Sequence, residues 1–472
     1  MVLFFLCYTE VRKYHGGLEM ADHEERICII GAGPAGISAG MYLEQKGYTN
    51  YTILEQADHV GGKCCSPVYN GKHYEIGAIM GVPSYFAVQD AEAFCGVTHD
   101  GPKLSSEYKA LDGSVVTPMH DETGARDEEI LEMKNQFRQF AFLLETKYKG
   151  YDVNGHRGTA EGRYEGFTAD RKRLPVSGEN EALKDLALPF KEFCELNGCP
   201  LVTNLWIDPF TAFGYGYFDE IPAAYVLKYL DLATNMAFMS GRHLTWKDGT
   251  QNIWEQVNRK LKKPARLNSH ISSVKRGAGG SAVKVTVNGT EEEYDKVIVT
   301  SPLQFMPDYF DADDDERALF SKIRYEKYDT LGMTIQDGCY PENSYFIREN
   351  MVKERCGRLM LYYRRWADAP DQVVVSYAIR NYTGCPDVSV EDCKENVLSD
   401  MTDMGAPVKG VVDQKTWYYF PHVLTEDYAA GWYDRVEAMQ GRRNTYYAGE
   451  VMSFGDMDET AEYSRELVER FF

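Results

Sequence analysis

The sequence has few long apolar runs, and none reaches the length of a bilayer-spanning helix without charged residues. Its first residues, MVLFFLCYTEVRKYHGGLEM, include a short apolar run with no basic residue ahead of it and no small-residue cleavage site. We therefore predict neither a secretory signal nor an integral membrane segment. Because Met20 directly precedes a polar stretch, we expect residues 1–19 to be a misassigned start or a loose tail, and we assign residues 1–25 to this tail.

Positive charge and metal-binding motifs are also scarce. The formal net charge of −21, from 51 Lys and Arg against 72 Asp and Glu, argues against nucleic acid or an anionic membrane as the main partner. The 11 cysteines include two close pairs, Cys64–Cys65 and Cys194–Cys199, but neither pair has a second pair of ligands at zinc-site spacing. We therefore predict free thiols in a reducing, cytoplasmic setting, without a structural metal.

Aromatic residues, in contrast, are abundant. The chain contains 33 Tyr, 22 Phe and 6 Trp among 472 residues. A chain of this length predicts two or three domains. The aromatic side chains fit either a large aromatic core or an apolar cavity lined with rings, and composition leaves both readings open.

A dinucleotide-binding pattern follows the first predicted strand, in the stretch RICIIGAGPAGISAG. An apolar strand over residues 26–30 leads into glycines at G-x-G-x-x-G spacing, and a helix is predicted over residues 37–46. The next strand, YTILE, ends at an acidic residue 19 positions after the last glycine, since 55 − 36 = 19, the distance expected for a ribose-binding acid. The pattern predicts that the following residues bind the dinucleotide: Gly31, Gly33, Ala35, Gly36, Glu55 and Gln56.

Two further stretches distinguish a flavin from a nicotinamide. EQADHVGGK and RRNTYYAGEVMSFG resemble the extended fingerprint and the closing motif of the flavoprotein amine oxidase superfamily. The strands RLNSHISSV and YDKVIVTSPL between them resemble those that close the FAD domain. This resemblance implies FAD, with Glu450 facing the ribityl hydroxyls, the helix near Met457 pointing at the flavin ring, and the Ile271 backbone meeting the adenine. It also implies that Gly62 and Lys63 lie beside the FAD phosphates.

These motifs imply an α/β fold with a Rossmann-type, glutathione-reductase-like FAD domain, a β-sheet substrate domain and a helical cap. The stretch EEILEMKNQFRQFAFLLETKY has apolar residues at helical spacing, and RLMLYYRRW and QVVVSYAIRNY alternate as strands do. We predict three FAD-binding parts at residues 26–100, 241–305 and 431–472, a largely helical cap at 101–240 with a polar insertion at 156–182, and a substrate-binding domain at 306–430.

Long stretches outside the FAD fingerprint resemble one family more closely. YEIGAIMGVPSY, NLWIDPFTAFGYGYFDEIPAAYVLKYLD, TWYYFPHV and EDYAAGWYDRVEAMQGRRNTYYAGEVMSFG are similar to the bacterial FAD-dependent polyunsaturated fatty acid isomerases, or linoleic acid isomerases. The resemblance runs from Arg26 to Phe472 and falters only at the tail and the polar insertion. It implies conversion of free linoleic acid to a conjugated isomer, with trans-10,cis-12 as the expected product.

The chemistry that this resemblance implies needs no catalytic side chain. FAD N5 accepts a hydride from the bis-allylic carbon and returns it to one end of the pentadienyl cation, so no net electrons leave. The protein must position the lipid and exclude water, and positioning of this kind can contribute roughly 7–11 kcal/mol. Aromatic faces can stabilise a desolvated cation by about 2 kcal/mol.

The resemblance also implies where flavin and substrate lie. The segment YEIGAIMGV is expected beside the isoalloxazine ring, Phe213 in the acyl channel, and Phe238 at the channel mouth. The family has two arginines after DGPKL, whereas this chain has two serines, so carboxylate capture either is weaker or falls to Lys103, to a hydroxyl such as that of Ser106, or to another basic residue. The flavin contacts expected from the first segment are Gly77, Ala78, Ile79 and Met80.

Two other functions remain open at this point. An FAD-dependent amine oxidase would share the cofactor fold, although the sequence has no recognisable amine-binding motif. A non-catalytic flavin-containing protein that binds fatty acid is the third possibility, and the pair Ser105–Ser106 gives it a little support. The sequence does not determine the oligomeric state.

Overall fold

The computed structural model describes residues 24–117, 127–148, 184–277, 282–380 and 384–472. The predicted polar insertion at residues 156–182 and nearly all of the predicted tail lie outside these described residues. Among the described residues, no helix is both long and apolar enough to cross a bilayer.

The strands of the described residues form a four-stranded, a seven-stranded, a three-stranded and a two-stranded sheet. Their bounds are β1 Ile27–Ile30, β2 Tyr51–Leu54, β3 Val68–Tyr69, β4 Lys72–His73, β5 Ser106–Lys109, β6 Val115–Val116, β7 Ile271–Arg276, β8 Val283–Val287, β9 Thr290–Tyr294, β10 Lys296–Val299, β11 Arg324–Ile335, β12 Ser344–Phe346, β13 Leu361–Arg364, β14 Val374–Arg380, β15 Val408–His422 and β16 Thr445–Tyr447.

The α-helices of the same part of the chain lie between and around these sheets. Their bounds are α1 Pro34–Gln45, α2 Phe86–Cys95, α3 Asp127–Glu145, α4 Phe190–Leu196, α5 Thr203–Phe210, α6 Ala223–Tyr229, α7 Leu232–Met239, α8 Thr250–Lys260, α9 Asp314–Phe320, α10 Val390–Asp403, α11 Thr425–Ala429, α12 Trp432–Glu437 and α13 Met457–Phe471.

The four-stranded sheet is parallel, in the order β16-β10-β1-β2. Every residue of β1 is buried, as expected for a strand covered on both faces. Ile30 pairs with Leu54 on one side and with Val299 on the other, so the carboxyl ends of the strands meet at one edge. That edge is where open α/β sheets bind their ligands. The predicted strand–helix–strand unit is confirmed, as β1, α1 and β2.

The seven-stranded sheet is mixed, in the order β15-β11-β14-β13-β12-β5-β6. It contains the two strands predicted from alternation, which are β13 and β14. It also contains β5 and β6, which come from the segment predicted as a largely helical cap, residues 101–240. β5 pairs in parallel with β12, where Ser106 lies opposite Ser344, so the substrate-side sheet begins before residue 110.

The helical part between these sheets contains α3 to α7. Its core is aromatic: Phe190, Phe193, Phe210 and Phe218 are all buried, and Phe210 stacks within 5.1 Å of Phe218 between ring centroids. The helix predicted from the apolar spacing of EEILEMKNQF is α3. The cap therefore joins the sheets through a shared core that also borders the carboxyl edge of the parallel sheet.

Candidate functional site

A cavity of about 670 Å³ opens at the carboxyl edge of the parallel sheet. Its wall includes the ends of β1 and β2, the turn into α1, the start of β7 and the start of α13. The cavity continues between the helical cap and the seven-stranded sheet. It therefore lies where the fold brings together all the parts predicted to bind FAD.

The first wall is the glycine turn between β1 and α1. Gly31 has φ of +106°, in the region that favours glycine, and a Cβ on Gly36 would lie 1.9 Å from the Gly31 carbonyl oxygen. These two glycines therefore permit the tight turn and the close packing of helix on strand. Gly33 precedes α1 without a side-chain cap, and no acidic residue lies in the first turn. The free N–H groups of that turn are suited to a phosphate group.

The acidic residue predicted to bind ribose lies at the end of β2. Glu55 Oε2 accepts a hydrogen bond from the Ala32 N–H at 2.8 Å, and Oε1 accepts one from the Ala57 N–H at 2.9 Å. A carboxylate has about four lone-pair sites, so both oxygens keep capacity for hydroxyl donors. These backbone bonds hold Glu55 at the cavity wall, beside Gln56.

The first and last predicted FAD parts meet through an ion pair. Lys63 Nζ lies 2.5 Å from Glu450 Oε2, and both side chains are mostly buried. The ammonium also lies 5.5 Å from the centroid of the Tyr419 ring. Gly449, just before Glu450, has φ of +92° and its Cβ would meet the Thr300 carbonyl oxygen at 2.8 Å. The chain at Gly449 therefore packs closely against the backbone of Thr300, which follows β10.

The segment predicted beside the flavin ring is fixed by a buried carboxylate. Glu75 is fully buried and forms an ion pair with Arg365, with Nη1 and Oε1 3.3 Å apart. Its other oxygen accepts a hydrogen bond from Ser66 Oγ at 2.5 Å, and the Thr250 N–H donates to Oε1 at 3.0 Å. A Cβ on Gly77 would lie 1.9 Å from the Lys63 carbonyl oxygen. These contacts fix the strand-like segment that follows against the cavity.

The opposite wall is formed by the start of α13. Asp456 caps this helix, accepting hydrogen bonds from the Asp458 and Glu459 N–H groups, both at 2.8 Å. Burial, together with repulsion from Glu459, raises the pKa of Asp456 to about 7. The carboxyl group and Met457 both line the cavity. This helix terminus therefore faces the cavity, as predicted for the helix that points at the flavin ring.

Aromatic side chains form most of the remaining wall. Tyr328 stacks on Tyr419 with ring centroids 5.3 Å apart, and on Tyr377 at 5.5 Å. Their hydroxyls are bound elsewhere: that of Tyr328 donates to the Ala212 carbonyl at 2.7 Å and that of Tyr419 donates to the Tyr215 hydroxyl at 3.0 Å. The rings therefore present apolar faces. The aromatic residues of this wall are Tyr85, Phe213, Tyr215, Tyr229, Phe238, Phe305, Tyr309, Tyr325, Tyr328, Tyr377, Trp417, Tyr418 and Tyr419.

A second cavity of about 490 Å³ adjoins the first. The two share four lining residues, Ile79, Met80, Phe213 and Phe238, and the rings of Phe213 and Phe238 lie 6.2 Å apart between centroids. The second cavity extends between the helical cap and the β5–β12 part of the large sheet, and most of its wall is apolar. The pair of phenylalanines therefore stands at the junction of the two cavities.

Few charged side chains line the second cavity. Arg348 donates to Asp208 through Nε, at 2.8 Å from Oδ1, and through Nη2 to Oδ2. The Tyr108 hydroxyl donates to the same carboxylate at 2.8 Å. This arginine is therefore already neutralised by a two-point ion pair. His243 also lines the cavity, and sequence reasoning missed it because a single histidine in GRHLTW carries no motif.

The structure places most of the predicted site residues at these cavities. Gly36 and Lys103 line neither cavity: Gly36 packs behind the turn, and Lys103 is exposed. Ser106 lines the second cavity only, and Phe213 and Phe238 line both. The predicted cofactor contacts on the first cavity are Gly31, Gly33, Ala35, Glu55, Gln56, Gly62, Lys63, Gly77, Ala78, Ile79, Met80, Ile271, Glu450 and Met457.

The described residues fit a flavin dinucleotide. A helix terminus without a side-chain cap offers N–H donors, and the built Cβ of Gly33 meets only Gly62 Cα, at 3.7 Å, so the space beyond it is open. A carboxylate stands at one end of this wall, in Glu55, and an ion pair stands further along, in Lys63 and Glu450. Beyond them lies a broad apolar space. In this set the carboxylate suits a ribose, the N–H donors suit a pyrophosphate, the ion pair suits a ribityl chain and the apolar space suits the ring.

Comparison with known proteins identifies the family. The family model described as "Flavin containing amine oxidoreductase" matches residues 34–461. A solved structure of a CLA-producing fatty acid isomerase from P. acnes is 46% identical, has a TM-score of 0.86, and aligns over 96% of this chain and 100% of that chain. These matches confirm the predicted fold class and the resemblance found in the sequence, and the family implies a flavin cofactor.

More distant matches include both a fatty acid isomerase and an amine oxidase. The polyenoic fatty acid isomerase of Ptilota filicina is 24% identical over 306 residues, which is 60% of this chain and 57% of that protein. The match thus spans little more than half of that relative's length. A putrescine oxidase with two substitutions is 13% identical with a TM-score of 0.66, over 94% of this chain and 98% of that one. At this identity, the likeness shows the fold alone.

Proposed function

This chain belongs to the flavin-containing amine oxidoreductase family, and on that premise we propose that it is an FAD-dependent isomerase of free polyunsaturated fatty acids. The proposed reaction converts linoleic acid to conjugated linoleic acid, with trans-10,cis-12 as the product. The observation that carries the proposal is the likeness over 96% of the chain to a CLA-producing fatty acid isomerase at 46% identity. The apolar cavity that adjoins the flavin site supports it.

FAD is the flavin that we propose, because the site has a place for both nucleotide and ring. Glu55 would accept hydrogen bonds from the adenosine ribose, and the turn at Gly33 would cradle the pyrophosphate. Lys63 and Glu450 would hold the ribityl part. A mononucleotide would leave the wall at Glu55, Gln56 and Ile271 without a ligand group.

The second cavity provides the proposed acyl-binding site. Its wall is mainly hydrocarbon and aromatic, which suits a long alkyl chain. Phe213 and Phe238 at the junction would bend the chain, so that its middle enters the first cavity and its end stays in the second. Ile79 and Met80 border both spaces and would contact the chain where it crosses the flavin.

When bound, FAD would supply at N5 a reversible hydride acceptor for the methylene carbon between two cis double bonds, which would leave a delocalised pentadienyl cation in the lipid. The protein's part is positioning, exclusion of water and electrostatic support. The stacked faces of Tyr328, Tyr377 and Tyr419 offer negative π density to a delocalised cation. Because their hydroxyls donate to other protein atoms, these rings do not supply protons to the lipid.

The first test is anaerobic incubation of the flavin-loaded protein with linoleate. Isomerisation predicts the ultraviolet band of a conjugated diene, without hydrogen peroxide and without a nicotinamide. Gas chromatography of the products would identify the isomer. Absence of diene with linoleate and other polyunsaturated acids would contradict the proposal.

The alternatives predict different results in the same preparation. An amine oxidase would consume oxygen and release peroxide with an amine such as putrescine. A fatty-acid-binding protein without activity would bind linoleate stoichiometrically and leave it unchanged.

A further inference from the structure

The wall of the second cavity contains a histidine that has no hydrogen-bonding partner among the described residues. Both ring nitrogens of His243 are buried and form no hydrogen bond within the part of the chain that the structure describes. The same is true of the indole nitrogen of Trp206, which lines the same cavity. Buried polar atoms in folded proteins are almost always hydrogen-bonded, so an unpartnered pair of this kind calls for a ligand.

The position of His243 is rigid. The next residue, Leu244, exchanges two backbone hydrogen bonds with Gly81, at 2.8 and 2.9 Å, directly after the segment that lines the flavin cavity. The imidazole ring packs near Phe238, with ring centroids 5.4 Å apart. The two backbone bonds therefore fix the chain next to His243, and the ring contact places the imidazole beside Phe238 at the junction of the two cavities.

We propose that His243 binds the carboxylate of the fatty acid in the second cavity, with the Trp206 indole as a further donor. This inference rests on the proposed function, because it names the group that holds the substrate's polar end. An imidazole always has at least one N–H donor, and a carboxylate is a strong acceptor. Binding would satisfy donors that are otherwise buried without partners, and it would fix how far the chain reaches into the flavin cavity.

Three other polar residues near this cavity, Arg348, Ser105 and Lys103, are less suited to the role. Asp208 occupies two donors of Arg348 and would repel a second carboxylate at that position. The Ser105 hydroxyl donates to Asn343 Oδ1 at 2.7 Å. Lys103, which the sequence suggested, is exposed and lines neither cavity. His243 differs from them in that its hydrogen-bonding atoms are buried and unpartnered among the described residues.

The test compares His243→Phe, which keeps a planar ring without donors, with His243→Gln, which keeps an N–H donor. In the flavin-loaded full chain, His243→Phe should raise the KM for linoleate about tenfold or more and change kcat by less than about threefold. The KM of His243→Gln should lie between that of the native protein and that of His243→Phe. The exposed neighbour Arg242 provides a matched control, and Arg242→Gln should leave KM unchanged.

A binding measurement separates this inference from the proposed function. Oleate has no methylene between two double bonds, so the holoenzyme can bind it without turnover, and methyl oleate lacks the charged carboxylate. By calorimetric titration, the native protein and Arg242→Gln should bind oleate about tenfold more tightly than methyl oleate or better. In His243→Phe that ratio should fall close to one, with flavin content and melting temperature unchanged.

An unchanged ratio of oleate affinity to methyl oleate affinity in His243→Phe would overturn the inference. If His243→Phe does not fold, His243→Gln still decides, because a weakened preference for oleate is expected there too. A native protein that makes no conjugated diene but loses its preference for oleate on His243→Phe would contradict the proposed function alone.

Discussion

Lys63 Nζ lies 2.5 Å from Glu450 Oε2, and this ion pair joins two ends of the cavity wall that are 387 positions apart in the chain. Both side chains are about three-quarters buried or more, with 21% and 24% exposure. The contact links the glycine pair after β2 to the loop after β16. The parts of the flavin site are therefore held to one another by charge as well as by the parallel sheet.

Replacing Lys63 by Met should weaken flavin binding about tenfold or more, because the Glu450 carboxylate is then left mostly buried and without its ion-pair partner. The flavin dissociation constant, measured by fluorescence quenching on titration of the apoprotein, gives the readout. Lys72→Met is the matched control: Lys72 pairs with Asp368 at 3.1 Å, but that carboxylate is 77% exposed. The control should change flavin affinity less than about twofold, and equal effects of both variants would contradict the role of the Lys63–Glu450 pair.

Gly33→Val should fold and yet fail to retain flavin. The backbone at Gly33 has φ of −75°, which valine can adopt, and a Cβ there meets only Gly62 Cα, at 3.7 Å. The branched side chain would instead fill the space that the pyrophosphate needs. The ratio of flavin to protein absorbance after gel filtration measures this, with Gly410→Val on β15 as the control. A yellow, active Gly33→Val protein would show that the loop is misassigned.

Phe213→Ala should reduce kcat/KM for linoleate about tenfold, because the junction between the two cavities loses one of its two rings. A less restrained chain can present either end of the pentadienyl system, so the product should become a mixture of conjugated isomers. Gas chromatography would resolve them. Phe142, on α3 with 62% exposure, offers the control Phe142→Ala. A single product at the native rate from Phe213→Ala would rule out this positioning role.

His422 should make the protein less stable in acid. Burial, together with the nearby charge of Arg324, lowers the pKa of His422 to about 4, whereas the unfolded chain has a pKa of about 6.5. The unfolded state therefore binds the proton first, and stability present above about pH 6.5 is lost as the pH falls towards 4. The free energy of unfolding that His422 removes in acid reaches about 3 kcal/mol.

Urea unfolding of the native protein and His422→Gln at several pH values between about 7 and 4.5 measures this loss. Burial raises the pKa of the neighbouring Glu326, whose Oε1 lies 3.9 Å from Nε2 of His422, so this carboxyl contributes an opposite slope. Glu326 is present in both proteins, and the difference between their unfolding free energies isolates the histidine. If the unfolding free energies of the native protein and His422→Gln changed in parallel with pH, this role of His422 would be contradicted.

Local patterns predicted the parts of the fold that depend on nearby residues. The strand, glycine turn, helix and second strand from residue 27 to residue 54 follow from apolar runs and glycine spacing, because each element is complete within a few residues. The helix of the cap, α3, and the strands β13 and β14 were predicted in the same way. The start of α13 at Met457 also agrees with the expected position.

Local patterns predict neither the pairing of strands that are distant in the chain nor whether a buried side chain has a hydrogen-bonding partner. β5 looks like part of the cap in sequence, and only its pairing with β12, where Ser106 meets Ser344, assigns it to the large sheet. Lys103 is close in sequence to the position of the expected carboxylate, but its side chain is exposed away from both cavities. His243 stands out only because its ring nitrogens are buried and unpartnered among the described residues.

The central claim is that one hydrogen moves from the doubly allylic carbon of linoleate to a flavin and back to the same lipid within a dry cavity. Linoleate carrying deuterium at carbon 11 tests this claim directly, with mass spectrometry of the conjugated product and of the solvent. The account predicts that the abstracted deuterium reappears at one end of the former pentadienyl system. Loss of this deuterium to water, with solvent hydrogen in the product, would contradict it.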